Sequence, residues 1–475
     1  MYRKQFLLAK ISPDDENLSL TDKFEEYQLY LGSDSEYTVL EDSQNKIGLI
    51  GNLYDWQNPE DANKKILHRL LKSNSLDQLL QKLNDYAGEF VMILRTSKDL
   101  VILNDATAQK EVYFETNFEC FGTQPKLLEK VVCLKDYESK EAKSFYKSKE
   151  FERRQIFIGD QTHKSNVRHL RANHYLSIRK KEMIRFFPKA CIPQLTPQKV
   201  ATIVSKRLKG TLVSIGMRKK LKLGITGGYD SRVLLMGSLG IECSYYVSKY
   251  GYMHNKHFDL VIPEKLTGLL KINYKVEDGL AYSCNKDNFN YLNDIEFPSF
   301  VRVNKNENDT VYINGNVSEV ARNYYGYLNN AKASDLSVLT GYSPCAVTIA
   351  CYQDWLNNQS LFKKMGYHYL DLFYWEERMG NWGAKARSEY YALNRDIVSP
   401  FNSRGLLSLL LSTKRKHRDS HFNTLYQEIL WELSGHDKSI QKVPINPSKK
   451  QTIIKTMKRL KLYNPYKFLQ VKLRL

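Results

Sequence analysis

Residues 223 to 233 read LGITGGYDSRV. A short apolar run that ends in Gly227-Gly228 leaves backbone N–H groups clear of side chains, so they can turn inward and cradle an anion. The hydroxyls of Thr226 and Ser231 and the positive end of a following helix add donors for a phosphate or pyrophosphate. Asp230 repels a bare phosphate, and its presence in such a loop makes sense when it ligates a Mg²⁺ that the phosphates share. The pattern therefore points to a Mg-nucleotide. A tight strand-to-helix turn also asks for glycines; Asp230 and Ser231 tip the reading toward binding. GxxxxGK[ST] occurs nowhere, so the loop is not of the Walker type.

The elements that must hold this loop follow from periodicity. LKLGIT reads as a strand, DSRVLLMGSLG as a helix stopped by Gly240, CSYYVSKYG as a strand, HFDLVIPEKLTGLL as a helix and KINYKVED as a strand. That alternation predicts a parallel, doubly wound sheet with ligands at the carboxyl ends of its strands. Further on, VYINGNVSEVARNYYG offers a second strand end with Glu319, a carboxylate that would complete a metal held by Asp230. His254, Lys256, His257 and Asp259 read as a surface cluster.

Ahead of this alternation the chain reads mostly as β. KIGLIGNLYDW, GEFVMILRT, DLVILND and EVYFETN are short runs rich in β-branched and aromatic residues, and ANKKILHRLLKSNSLDQLLQKLNDY between the first two is a helical pair. The segment from Gly159 to Pro188 reads as a closing hairpin, and Thr196-Pro197 as a helix start. An α+β domain over residues 1–190 is expected, with helices packed on an antiparallel sandwich, followed by an α/β domain over residues 191–475.

Seven cysteines without CxxC pairing suit reduced thiols and no metal-thiolate site. With no signal peptide and no apolar stretch of spanning length, a cytoplasmic location is expected. The net charge of +19 is concentrated in part after Asn446, where nine Lys or Arg occur without Asp or Glu. Such a tail suits peripheral contact with an anionic membrane or a solvated helical end; nucleic acid is not the expected partner.

TGGYDSR resembles the SGGxDS loop of the ATP-pyrophosphatase (PP-loop) superfamily, with Thr226 where Ser is usual. Residues 1 to about 190 resemble the glutaminase-type (Ntn-like, class II) domain of asparagine synthetases. GLIGNLYDW is similar to their glycine-containing strand, and GEFVMILRTSKDLVILNDATAQKEVYF to the hairpin that follows it. That family opens its glutaminase with a cysteine nucleophile after the initiating Met; here Tyr2 stands in that place, so glutamine hydrolysis is not expected. β-Lactam synthetases and lasso-peptide cyclases are similar in keeping the domain without that chemistry.

The resemblance implies further residues. Asn314, Gly315, Ser318 and Glu319 overlay the family's SGEGxDExFGGY motif, shortened by one residue and lacking its Asp, and Glu319 takes the metal-holding place. Asn316 falls where the family has a residue associated with the acceptor. The segment around Arg378, Arg395 and Arg404 is similar to the one containing the family's PFLD-like motif, with Arg404 the first choice for gripping phosphate or a substrate carboxylate. SIQKVPINP is similar to the R-x-K-x-x-F region; Lys442 matches its charge-stabilising lysine, with Lys449 and Lys450 as competitors. The resemblance implies an ATP- and Mg²⁺-dependent ligase that joins a carboxylate to an amine with release of pyrophosphate. A nucleotide-binding protein that has lost its chemistry and an RNA-modifying PP-loop ATPase remain alternatives.

Overall fold

The computed structural model describes residues 2–278, 309–326, 328, 330–392, 395–447 and 449–473. Cys284 and the side chains of Lys449 and Lys450 lie outside the described residues.

The early apolar runs fold as strands, of which AGEFVMILR and LVILN are buried on both faces. In chain order they are β1 (Phe6–Ala9), β2 (Ser19–Phe24), β3 (Tyr27–Leu31), β4 (Tyr37–Glu41), β5 (Lys46–Tyr54), β6 (Ala87–Arg95), β7 (Leu100–Asn104), β8 (Tyr113–Glu115), β9 (Cys120–Gly122), β10 (Val167–His169), β11 (His174–Ser177) and β12 (Glu182–Arg185). They form two six-stranded sheets, ordered β10-β8-β9-β1-β3-β2 and β12-β11-β7-β6-β5-β4. Every pairing within them is antiparallel, with Ile50 opposite Val91 in the long β5–β6 ladder.

The two-residue period of a strand sorts the side chains. Phe6, Leu8, Ile50, Val91, Ile93 and Ile102 meet between the sheets. Their neighbours Leu7, Leu49, Met92, Leu94 and Leu103 face outward into a second core, which takes in Ile66, Leu67 and Leu70 of the helix Asn63–Leu71. Segments such as FVMIL thus read as continuous apolar runs because both faces are covered. The expected hairpin after Gly159 is only half a hairpin: β11 and β12 pair with each other, whereas β10 joins β8 in the opposite sheet.

Thr196 caps the helix Pro197–Gly216, accepting from the Lys199 amide at 3.3 Å. The parallel sheet follows: β13 (Lys220–Gly224), β14 (Cys243–Lys249), β15 (Lys275–Asp278), β16 (Thr310–Ile313) and β17 (Ile397–Val398), ordered β15-β14-β13-β16-β17. The chain steps outward from β13 through β14 to β15, and β16 then returns to the other flank of β13. That reversal opens a crevice at the carboxyl ends of β13 and β16, the place where doubly wound sheets bind ligands.

Polar anchors fasten the antiparallel layers to the later part of the chain. Glu376, buried in the π-helical stretch Tyr374–Gly383, takes a two-point grip from Arg185 at 2.5 and 2.8 Å and accepts from Asn173 and the Trp355 indole. Asn402 donates to Gly88 O and to Asp105. At the far end, the helices Lys449–Arg459 and Tyr463–Lys472 lie on the body through Lys458–Asp419 (2.5 Å) and Lys472–Asp335 (2.6 Å). They leave Ile453, Leu460, Leu462, Tyr466, Phe468, Leu469 and Leu473 exposed. Among the described residues, no helix is long and apolar enough to cross a membrane.

Candidate functional site

The loop after β13 is held by its own hydroxyls. Thr226 Oγ1 and Ser231 Oγ lie 2.7 Å apart, Ser231 Oγ accepts from the Thr226 amide at 3.1 Å, and the Gly228 amide donates to Thr226 Oγ1 at 3.3 Å. Gly228 is the N-cap of the helix Tyr229–Ser238 and supplies no side-chain cap. First-turn amides of a helix have no partner within it, so this helix presents bare donors and its positive end to the crevice.

Glycine is required at Gly227 and Gly315 for close approach. A Cβ on Gly227 would come within 2.9 Å of the Phe258 ring, and one on Gly315 within 2.7 Å of Asp230 Cβ. Gly315 therefore lets the loop after β16 press against the helix that carries Asp230. Between the loops lies a cleft of ≈ 240 Å³, lined among others by Thr226, Gly228, Asp230, Ser231, Gly315 and Asn316. Arg395 lies over the Tyr312 ring on the same wall, 3.8 Å from its centroid, and Tyr246 meets Tyr312 edge to face at 6.0 Å.

Asp230 and Glu319, the two expected metal ligands, come together around a residue that the sequence did not single out. Arg322 donates to Asp230 Oδ2, and its other terminal nitrogen stands 3.6 Å from Glu319 Oε1. Burial disfavours the Arg322 cation, yet Asp230 and Glu319 outweigh it and hold its pKa above the usual arginine range. Ser318 donates to Asp230 Oδ1 at 2.7 Å and Tyr374 to Glu319 Oε2 at 2.6 Å. One guanidinium between two carboxylates leaves one negative charge uncompensated. That charge and the all-oxygen donor set fit Mg²⁺, which commonly takes one or two carboxylates and completes its shell with substrate phosphates.

The rest of the cradle comes from distant segments. The Gly227 amide donates to Asp259 Oδ1 at 2.7 Å, so Asp259, expected on the surface, belongs to the loop. Arg232, 1% exposed, donates to Val443 O and Pro444 O at 2.7 and 2.8 Å, and the Asn446 amide reaches Gly227 O at 3.0 Å. Burial pulls the Arg232 pKa down to about 10. Lys442 ends the short helix Lys438–Gln441 beside this arm, with its side chain exposed.

Comparison with known proteins adds little. No protein-family profile and no curated protein match the chain. Solved structures it overlaps include one described as the allosteric regulatory enzyme of purine biosynthesis, at 8% identity over 59% of this chain and 76% of that one, with a TM-score of 0.24. Glutamine phosphoribosylpyrophosphate amidotransferase from B. subtilis, complexed with ADP and GMP, overlaps at 9% identity over 67% of this chain and 71% of that one, with a TM-score of 0.22. Overlaps this slight carry no argument about chemistry.

Two expectations need correction. Arg404 does not face the cleft: it is 2% exposed, donates to Asn173 Oδ1 at 2.9 Å and lies over the Phe186 ring at 4.6 Å. Burial lowers its pKa to about 10, and its guanidinium is spent joining the helix Arg404–Leu411 to the antiparallel layers. Arg378 lines a different cleft, leaving Arg395 as the one of the three expected arginines at the sheet crevice. In the antiparallel layers Tyr2 is 5% exposed and donates to Asp15 at 3.0 Å, and Cys120 is buried in β9.

Proposed function

We propose that the chain is an ATP-dependent carbon–nitrogen ligase, as the asparagine synthetase resemblance implies. The observation that carries this reading is the meeting, at the reversal point of a doubly wound sheet, of an uncapped glycine-led helix start with the Asp230–Arg322–Glu319 cluster. A substrate carboxylate oxygen attacks the α-phosphorus of ATP and pyrophosphate leaves. The amine nitrogen then attacks the acyl carbon, AMP leaves with the bond electrons, and the new amide loses a proton.

In this scheme the amides following Gly228 and the hydroxyls of Thr226 and Ser231 bind the departing pyrophosphate, and Gly315 keeps the second loop close enough to share it. Asp230 and Glu319 would hold Mg²⁺, which supplies charge neutralisation on the phosphates. Arg322 fixes both carboxylates in place, and Lys442 offers an ammonium from the arm that Arg232 anchors. With Tyr2 where a glutaminase nucleophile would stand, we assign the amine to a separate donor. The C-terminal helices, with lysines around exposed leucines, are the proposed contact with an anionic membrane.

A second reading, nucleotide binding without chemistry, draws support from Arg322, which already engages both carboxylates. Exchange of labelled pyrophosphate into ATP, run with candidate acids, separates the two: acid-dependent exchange supports the ligase. Calorimetry on the wild type and Asp230→Ala tests both, and wild type and variant equally indifferent to Mg·ATP would remove the nucleotide site altogether.

A further inference from the structure

Cationic side chains also converge on a cleft other than the sheet crevice. Arg153 and Arg154 at the end of the helix Lys149–Arg154 face Arg378, Trp382 and Lys385 across ≈ 420 Å³, with Ile156 on the floor. Lys385 is paired with Glu389 at 2.5 Å. Among the described residues, no carboxylate stands within 4.0 Å of the guanidinium groups of Arg153, Arg154 or Arg378. The nearby acids keep their hydrogen bonds to other groups: Glu150, which feels the charge of Arg153 and Arg154 at longer range, accepts from the Ser343 amide and hydroxyl at 2.7 and 2.8 Å, and Glu377 from Tyr352 and the Gly159 amide, both at 2.9 Å.

These guanidiniums are held in place without a carboxylate in ion-pair contact. Arg378 lies on the Trp382 ring at 4.3 Å, Arg154 lies over Tyr342 at 5.7 Å, and the Nε atoms of both are buried without a hydrogen-bond partner. Gly341, at φ +94°, leaves the space that Arg154 fills: a Cβ there would lie 2.1 Å from its Cζ. Stacking uses the flat face of a guanidinium and leaves its N–H edge open, the geometry that grips a carboxylate by two parallel hydrogen bonds. Trp382 and Ile156 give the same cleft apolar surface for a carbon skeleton.

We infer that this cleft binds a small polycarboxylate through Arg153, Arg154 and Arg378. Its volume suits a small molecule, and three arginines without an ion-pair partner among the described residues favour a ligand carrying more than one negative charge. The cleft also adjoins the crevice: Arg378 lies about one turn from Tyr374, which bonds Glu319, and the helix Ala384–Ala392 turns Lys385 and Glu389 to this cleft and Tyr390 to the other. That the bound acid is the one activated by ATP rests on the ligase reading; the binding itself does not.

The test titrates citrate, acetate and inorganic pyrophosphate into the full chain by calorimetry, without Mg²⁺ or ATP. Citrate should bind far more tightly than acetate, weaken about tenfold or more in Arg154→Gln/Arg378→Gln, and be unchanged in Asp230→Ala. Arg153→Gln, whose side chain is exposed, provides a second variant if the double substitution impairs folding, and should weaken citrate while leaving the melting temperature alone. Absence of citrate binding, equal binding by wild type and the arginine variants, or pyrophosphate binding at these arginines more tightly than citrate would each overturn the proposal. Loss of Mg·ATP binding in Asp230→Ala bears only on the nucleotide site.

Discussion

Gly315→Ala tests whether the two loops of the crevice work as one unit. Gly315 has φ −98° and ψ 1°, a conformation open to alanine, so any cost arises from contact and not from the backbone. The new Cβ would stand 2.7 Å from Asp230 Cβ and 3.3 Å from a Leu234 methyl. Carbon atoms settle near 3.5–4.0 Å, so the loop after β16 must retreat by roughly 1 Å. Overpacking of this kind costs about 1–3 kcal/mol. The same retreat stretches the 2.7 Å bond from Ser318 to Asp230 beyond hydrogen-bond range, and a bond to a charged group is worth about 1.5–3 kcal/mol.

Gly228→Ala is the matched control. The nearest atoms to its Cβ are Thr226 Oγ1 at 3.5 Å and Asn446 at 3.8 and 3.9 Å, ordinary contacts. It should leave stability unchanged while placing a methyl before the amide donors. Denaturant midpoints and calorimetric Mg·ATP titrations on both variants are the assay. Gly315→Ala should lose stability and binding together; Gly228→Ala should lose binding alone. A Gly315→Ala protein as stable as wild type would refute the packing argument, and a Gly228→Ala protein that binds Mg·ATP at wild-type strength would refute the cradle.

Arg322→Gln leaves Asp230 and Glu319 without their shared cation; stability should fall by about 1.5–3 kcal/mol, Arg322→Lys should recover part of it, and an unchanged urea midpoint would contradict the cluster. Glu111, buried with Tyr113 and Ser388 as donors, has its pKa raised by burial from 4.5 to about 7. The folded state thus favours its neutral acid, a contribution fully present below pH 4.5 and lost as pH rises through 7. Glu111→Gln should therefore gain stability relative to wild type between pH 4.5 and 7, by an amount on the order of 3 kcal/mol for the full shift; a difference that does not change with pH would exclude this. Vesicles containing phosphatidylserine should co-sediment the protein at low salt and retain less of Leu460→Asp/Leu469→Asp; equal retention of both proteins would dismiss the tail as a membrane contact.

Most strands and helices around the crevice were readable from local signals (a short apolar run, a glycine stop at Gly240, a Thr-Pro start at Thr196), whereas the two-residue strand β17 is too short to carry one. Those of the first forty residues were not, since β1 to β4 alternate weakly and are set by pairing with distant strands. The glycine loop was legible in the same local way, down to its two hydroxyls. Arg322 was missed although it stands three residues after Glu319, because its partner Asp230 is 92 residues away and no spacing encodes that. Asp259 reads as part of a surface cluster, and its bond to Gly227 arises from the parallel pairing of β13 with β14, which brings the loops after both strands together. Arg404 misled for the opposite reason: an arginine just after a turn reads as reaching the cleft, and only the antiparallel layers, which supply Asn173, show where it is spent.

The clamp of Arg232 on Val443 and Pro444 bears on how the protein is made. The anchoring carbonyls lie 211 and 212 residues downstream of the arginine they satisfy. While the ribosome is still short of them, a guanidinium destined for the interior has no acceptors and the loop lacks the support of Asn446. The glycine loop is thus completed only when residues 443–446 have been made and folded back onto it, so its final geometry is among the late events of folding.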